Sequence, residues 1–100
     1  MVLPTHGYPE QYSAFERPDG GRLDCILIEA LRFDDARHAR NAFEDGWAVE
    51  VRLDQLPEAE RLTTVEYLQV MAGSLAGEVH DVDVDVLLLL PPGEPRQLEG

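Results

Sequence analysis

The chain has 100 residues, with eight Arg and no Lys against 20 Asp and Glu, and a net charge of −12. That length is about one domain, and 44% hydrophobic content supplies a core, so the chain reads as folded rather than as a disordered acidic tail. Acid outnumbers base in both halves, which excludes nucleic acid and anionic lipid as electrostatic partners and favours a basic one.

Residues 1–21 read as a flexible or loosely docked arm. Pro4, Pro9, Pro18 and the Gly20-Gly21 pair interrupt every candidate element there. Residues 22–31 form a strand, and residues 25–28 are apolar on both faces, which predicts cover on both sides. The single cysteine, Cys25, excludes an internal disulfide and reads as a small buried hydrophobe. Asp34 and Asp35 are helix N-cap residues, and Ala36, Ala39, Ala42 and Phe43 recur at helical spacing over 35–45, with Gly46 as the left-handed stop. Trp47, Val49, Val51 and Leu53 alternate with Ala48, Glu50 and Arg52, the pattern of a strand.

Pro57 sits where a helix would begin, and a long helix then reaches Leu75 or Ala76, with Gly77 ending it. Val65, Leu68, Met71, Ala72 and Leu75 fall on one arc of that helix. Residues 78–90 form one long strand or two short ones joined near Asp83, and the three prolines of the 92–100 tail and its approach cannot continue a sheet. The longest aliphatic run, Val86–Leu90, is far short of the ~20 residues a membrane span needs. With no signal segment at its start, the chain is expected to be soluble and cytoplasmic. The order predicts an α/β fold, a two-layer sandwich with two helices on a small sheet of four or five strands spanning 22–91. A domain this small cannot hide two apolar sheet faces, so self-association through a sheet face or a helix face is expected.

Catalytic and metal-binding patterns are weak. His80, Asp81, Asp83 and Asp85 would put three carboxylates on one strand face, but Val86 stands where a calcium loop needs Gly and Pro92 where it needs Glu. The calcium template therefore fails, and a solvated strand face whose like charges discourage edge pairing accounts for them. Asp34 and His38 share a helix face, His6 is isolated, and three scattered histidines make no zinc site. Ser13 and Ser74 sit in no nucleophile elbow, and Gly20-Gly21 opens a strand with no Lys to complete a phosphate loop. No catalytic residue, metal or cofactor is therefore expected. The second helix is more informative. Tyr67 and Val70 lie beside Thr63, Gly73 and Ser74, uncharged positions on an otherwise acidic surface. Ordinary scatter of apolar residues explains such a patch, and so does a helix–helix contact or a peptide groove.

Five segments in order resemble one family. They are F-D-D-A-R-H-A-R-N-A-F (33–43), W-A-V-E-V-R-L (47–53), V-E-Y-L (65–68), G-E-V (77–79) and D-V-L-L-L-L-P (85–91). In order and without insertion they resemble SepF, a bacterial and archaeal cell-division family. The resemblance implies a homodimer, or a higher oligomer, with two helices on a small sheet. It implies a cytoplasmic adaptor at the division site that binds the C-terminal tail of FtsZ, catalyses nothing and carries no cofactor. The family's membrane tether is an N-terminal amphipathic helix, a pattern the proline-broken 1–20 segment does not share. Arg52 stands where the family usually has Asn, Val70 where it has Gly, and Thr63 or Thr64 where it has Arg. On this reading Tyr67, Leu68, Val70 and Met71, with Arg61, contact the partner, and Thr63, Val70, Gly73 and Ser74 form the dimer interface.

Overall fold

The structure, a computed structural model, describes residues 8–98. His6, the opening of the expected arm and the last two residues of the tail lie outside them. Among the described residues the strands and α-helices follow as β1 (Tyr12–Glu16), β2 (Arg22–Glu29), α1 (Ala36–Glu44), β3 (Ala48–Arg52), α2 (Glu58–Ser74), β4 (Glu78–Asp83) and β5 (Val86–Leu90). The sheet order is β1-β2-β3-β5-β4. β2 and β3 run parallel, and the other neighbouring pairs are antiparallel. The fold is an α/β two-layer sandwich of two helices on a five-stranded sheet.

Both helices pack on one face. Ala36, Ala39, Ala42 and Phe43 of α1 and Leu68, Met71 and Ala72 of α2 share a cluster with Ile26, Ile28, Val49, Val51, Leu87 and Leu89. The intervening residues of the strands face the other way, and there Leu23, Cys25, Ala48 and Leu88 form a second cluster. The expected two-sided burial of β2 is therefore present, and Cys25 is buried as a free thiol.

The structure departs from the sequence reading in two places and decides a third. Part of the expected arm is strand β1, paired antiparallel with β2 from Tyr12 opposite Ile26 to Glu16 opposite Arg22. Pro18, Asp19 and Gly20, which looked like interruptions, make the hairpin turn. Gly20 takes φ +88°, and Arg17 N–H donates to Gly21 O at 2.8 Å. Of the two readings open for residues 78–90, the structure has the two short strands, with Val84 and Asp85 in the turn between them. Gly77 is not the left-handed residue that stops α2; Ala76 is, at φ 62°.

Both helices end in the same hydrogen-bond motif. At α1, Gly46 N–H donates to Phe43 O and Trp47 N–H to Ala42 O. At α2, Ala76 N–H donates to Gly73 O and Gly77 N–H to Ala72 O. This is the paired closure that uses a left-handed residue one position past the cap. Gly46 fills that position in α1 with φ +96°, and an alanine fills it in α2. Gly77 is required for another reason: a Cβ there would lie 2.6 Å from Leu90 O and closer still to Phe43 Cζ.

The tail is strapped back onto the domain. Arg96 N–H donates to Gly46 O at 2.8 Å, its guanidinium pairs with Asp45 at 3.0 Å, and it lies 5.3 Å from the Trp47 ring centroid. Leu98 N–H donates to the buried Asp24 carboxylate at 2.9 Å, whose other oxygen accepts from Arg22.

Candidate interaction site on the second helix

The apolar residues of α1 keep to one stripe, whereas those of α2 are spread around the helix. Leu68, Met71 and Ala72 face the core, while Leu62 and Val70 stand 68% and 72% exposed on the opposite side. A surface helix with one wet side normally carries polar residues there. Here the outward strip comprises Leu62, Thr63, Glu66, Gln69, Val70, Gly73 and Ser74, and Glu66 is its only charge. Nothing lies within 4 Å of the position a Gly73 Cβ would take, so the backbone is open to close approach. The Ser74 hydroxyl is turned inward, donating to Val70 O at 2.6 Å, which leaves the strip smooth and weakly polar.

The expected dimer residues Thr63, Val70, Gly73 and Ser74 are thus brought together on one exposed face. The expected partner residues are not. Leu68 is fully buried and Met71 nearly so, because both belong to the arc that packs on the sheet. A peptide lying on α2 reaches neither of them without displacing the helix. Tyr67 is half-buried at the border with α1, its ring edge-on to Phe33 at 5.7 Å and its hydroxyl accepting from Arg40 at 3.4 Å. That bond is the largest of the influences raising the Arg40 pKa. Arg61 is engaged by Asp85 and by Val84 O, tying the first turns of α2 to the β4–β5 turn. Leu62 and Gln69 belong to the outward strip and were missed. Leu62 lies eight residues before Val70 on the same helix face, a spacing the sequence contains.

Thr64 is buried, with its hydroxyl donating to Glu60 O at 2.8 Å. Arg52 lies on the sheet face away from the helices and donates to Glu50 at 3.0 Å. Glu50 is itself 7% exposed and also accepts from Ser13 at 2.9 Å, so its carboxylate is held by two donors. The hydrogen bond to Glu50 is the largest of the influences raising the Arg52 pKa.

The aspartates do not form one strand face. Asp81 and Asp83 flank a bulge, Asp85 is in the turn, and Asp83 accepts from its neighbour Val84 N–H at 2.7 Å. Among the described residues no group of three or more His, Cys, Asp or Glu side chains is placed to hold a metal ion. Asp34 pairs with Arg37 at 3.4 Å, His38 is half-buried on α1, and His80 faces Glu78 at 3.1 Å. No described helix is long and apolar enough to cross a membrane. No protein-family model matches the chain. No curated protein matches it either.

Proposed function

We propose that the chain is a non-enzymatic, self-associating adaptor of the SepF type, which dimerises through the outward strip of α2 and binds the C-terminal tail of FtsZ. The observation that carries this reading is the strip itself. Leu62 and Val70 project fully into solvent around an open Gly73, on a protein whose surface is otherwise dense with acid. Two such strips related by a two-fold axis bury four aliphatic side chains and meet at small residues. The fold agrees with the one the resemblance implies, and the net charge of −12 suits a basic tail and speeds its encounter. On this reading the tail reaches the chain beside Val70 and the outer edge of Tyr67.

Two experiments test it. Calorimetric titration of the chain with an FtsZ C-terminal tail peptide should give saturable heat; a flat titration with folded dimer rules the tail out. Light scattering should report twice the monomer mass, and Val70→Asp should return the monomer. A dimer indifferent to Val70→Asp does not use this helix. A self-assembling module without FtsZ binding is the second reading, and the burial of Leu68 and Met71 favours it, since it withdraws two of the expected partner contacts.

A further inference from the structure

Helices cover one face of the sheet. On the other face a cavity of about 1120 Å³ opens over Leu23, Leu88 and Leu90. The β1–β2 turn, the start of β4 and residues 91–95 of the tail wall it in, with Phe15 at one side. Its floor is aliphatic and continuous with the second cluster. Its rim carries the carboxylates of Glu16, Asp19, Glu78, Asp81 and Glu94 against a single guanidinium, Arg17. Among the described residues Glu16, Asp81 and Glu94 have no ion-pair partner, and neither has Asp83 farther along β4, whereas Asp24, Glu29 and Glu50 of β2 and β3 are paired with Arg.

We infer that this cavity docks a cationic peptide segment, which lays an aliphatic or aromatic side chain on the partly exposed Leu90 and Phe15, above the buried Leu88, and sets Arg or Lys against the rim. Three alternatives fit the charge and the floor less well. A second copy seated symmetrically here would bring an equally acidic rim against this one, and like charges across an interface are strongly unfavourable. Anionic lipid and nucleic acid are repelled for the same reason. A small polyamine neutralises the rim and leaves the leucine floor wet. An extended peptide alternates its side chains, so apolar groups meet the floor while the charged ones reach outward to the rim. The cavity lies on the sheet face opposite the helices, so a chain paired through α2 keeps it open, and docking here does not depend on the adaptor reading.

The test is a nuclear magnetic resonance titration of the full, isotope-labelled chain with a short synthetic peptide of alternating Arg and Leu. Saturable shifts are expected at His80, Leu88 and Leu90. Peptides of alternating Arg and Ser, and of alternating Glu and Leu, should bind far more weakly. The double variant Asp81→Lys/Glu94→Lys should weaken the Arg–Leu peptide about tenfold or more, from the reversal of two rim charges. Asp34→Lys/Asp54→Lys makes the same change in net charge away from the cavity and should leave affinity within about twofold, because distant charges are screened. All four positions are exposed, and circular dichroism verifies that both variants fold. The inference is overturned if the Arg–Ser peptide binds equally well, if both double variants weaken binding alike, or if shifts map to another face. It is also overturned if no saturation is reached, or if His80 and Leu88 shift with protein concentration alone, which would make a second copy the occupant.

Discussion

Replacing Gly77 by alanine should destabilise the domain strongly for a change of one methyl group. The added Cβ would sit 2.6 Å from Leu90 O, 3.1 Å from Phe43 Cε1 and closer still to Phe43 Cζ. Neither neighbour gives easily. Leu90 belongs to β5 and is paired with Glu78, while Phe43 is 2% exposed in the main core. Inserting a methyl group into a filled site costs about 1–3 kcal/mol, and two immovable neighbours place this one near 3 kcal/mol. For a domain this size each kcal/mol moves the melting temperature by about 4–8 °C, so a fall of roughly 12–24 °C is expected. Gly73→Ala is the matched control. It adds the same methyl group four residues earlier, inside α2, with nothing within 4 Å, and should raise monomer stability by about 0.5–1 kcal/mol. Thermal and urea unfolding followed by far-ultraviolet circular dichroism reads both. If Gly77→Ala melts within about 2 °C of the parent chain, given the sensitivity above, the close approach of α2's end to Phe43 and β5 is wrong.

Three further outcomes can be checked with the same protein. Ala76→Gly should add about 1 kcal/mol by relieving the left-handed residue at the end of α2, and an unchanged urea midpoint would count against that strain. Burial first, then the charge of Glu50, pushes the Cys25 thiol from 9.0 up to about 12. It should therefore resist disulfide reagents in the native state near neutral pH and react on unfolding. Because its folded pKa lies above its unfolded one, its contribution is complete below about pH 9 and is lost as pH rises toward about 12; Cys25→Ala should flatten that alkaline decline, and no flattening would refute it. Arg96→Ala should shift the emission of Trp47, the sole tryptophan, and lower stability by under about 1 kcal/mol. An identical spectrum would mean that the strap does not rest on that ring.

Helix α1 and strand β3 were legible because each carries a clean period, β2 because it is a continuous apolar run, and α2 because Pro57 marks its start and Leu68, Met71 and Ala72 share one arc. Alanines at three- and four-residue steps make α1, and Val49 and Val51 alternate against Ala48 and Glu50 in β3. β1 was not legible, because its turn is built from the same proline and glycine that usually mark a break, and Tyr12–Glu16 is short and largely exposed. The outward strip of α2 was partly legible from Thr63, Val70, Gly73 and Ser74. The partner set was not: Leu68 and Met71 satisfy an apolar-anchor pattern and a core pattern alike, and only packing decides between them. The cavity over Leu88 was invisible in one dimension, since the hairpin, β4 and the tail that wall it are far apart in the chain.

The strand order has a consequence for how the domain is assembled. β5 is the last strand in the chain, yet it lies inside the sheet, between β3 and β4. A nascent chain released before Val86 would have β1, β2 and β3 as one ribbon and β4 as an orphan, with the leucines that join them missing. The final hairpin must enter as a wedge, its β5 edge against β3. Loss of a few residues at that end of the sheet would split it down the middle instead of trimming its border. Synthesis from the N-terminus therefore leaves the apolar edge of β3 bare until Leu90 has been made, an interval in which that edge is open to mispairing.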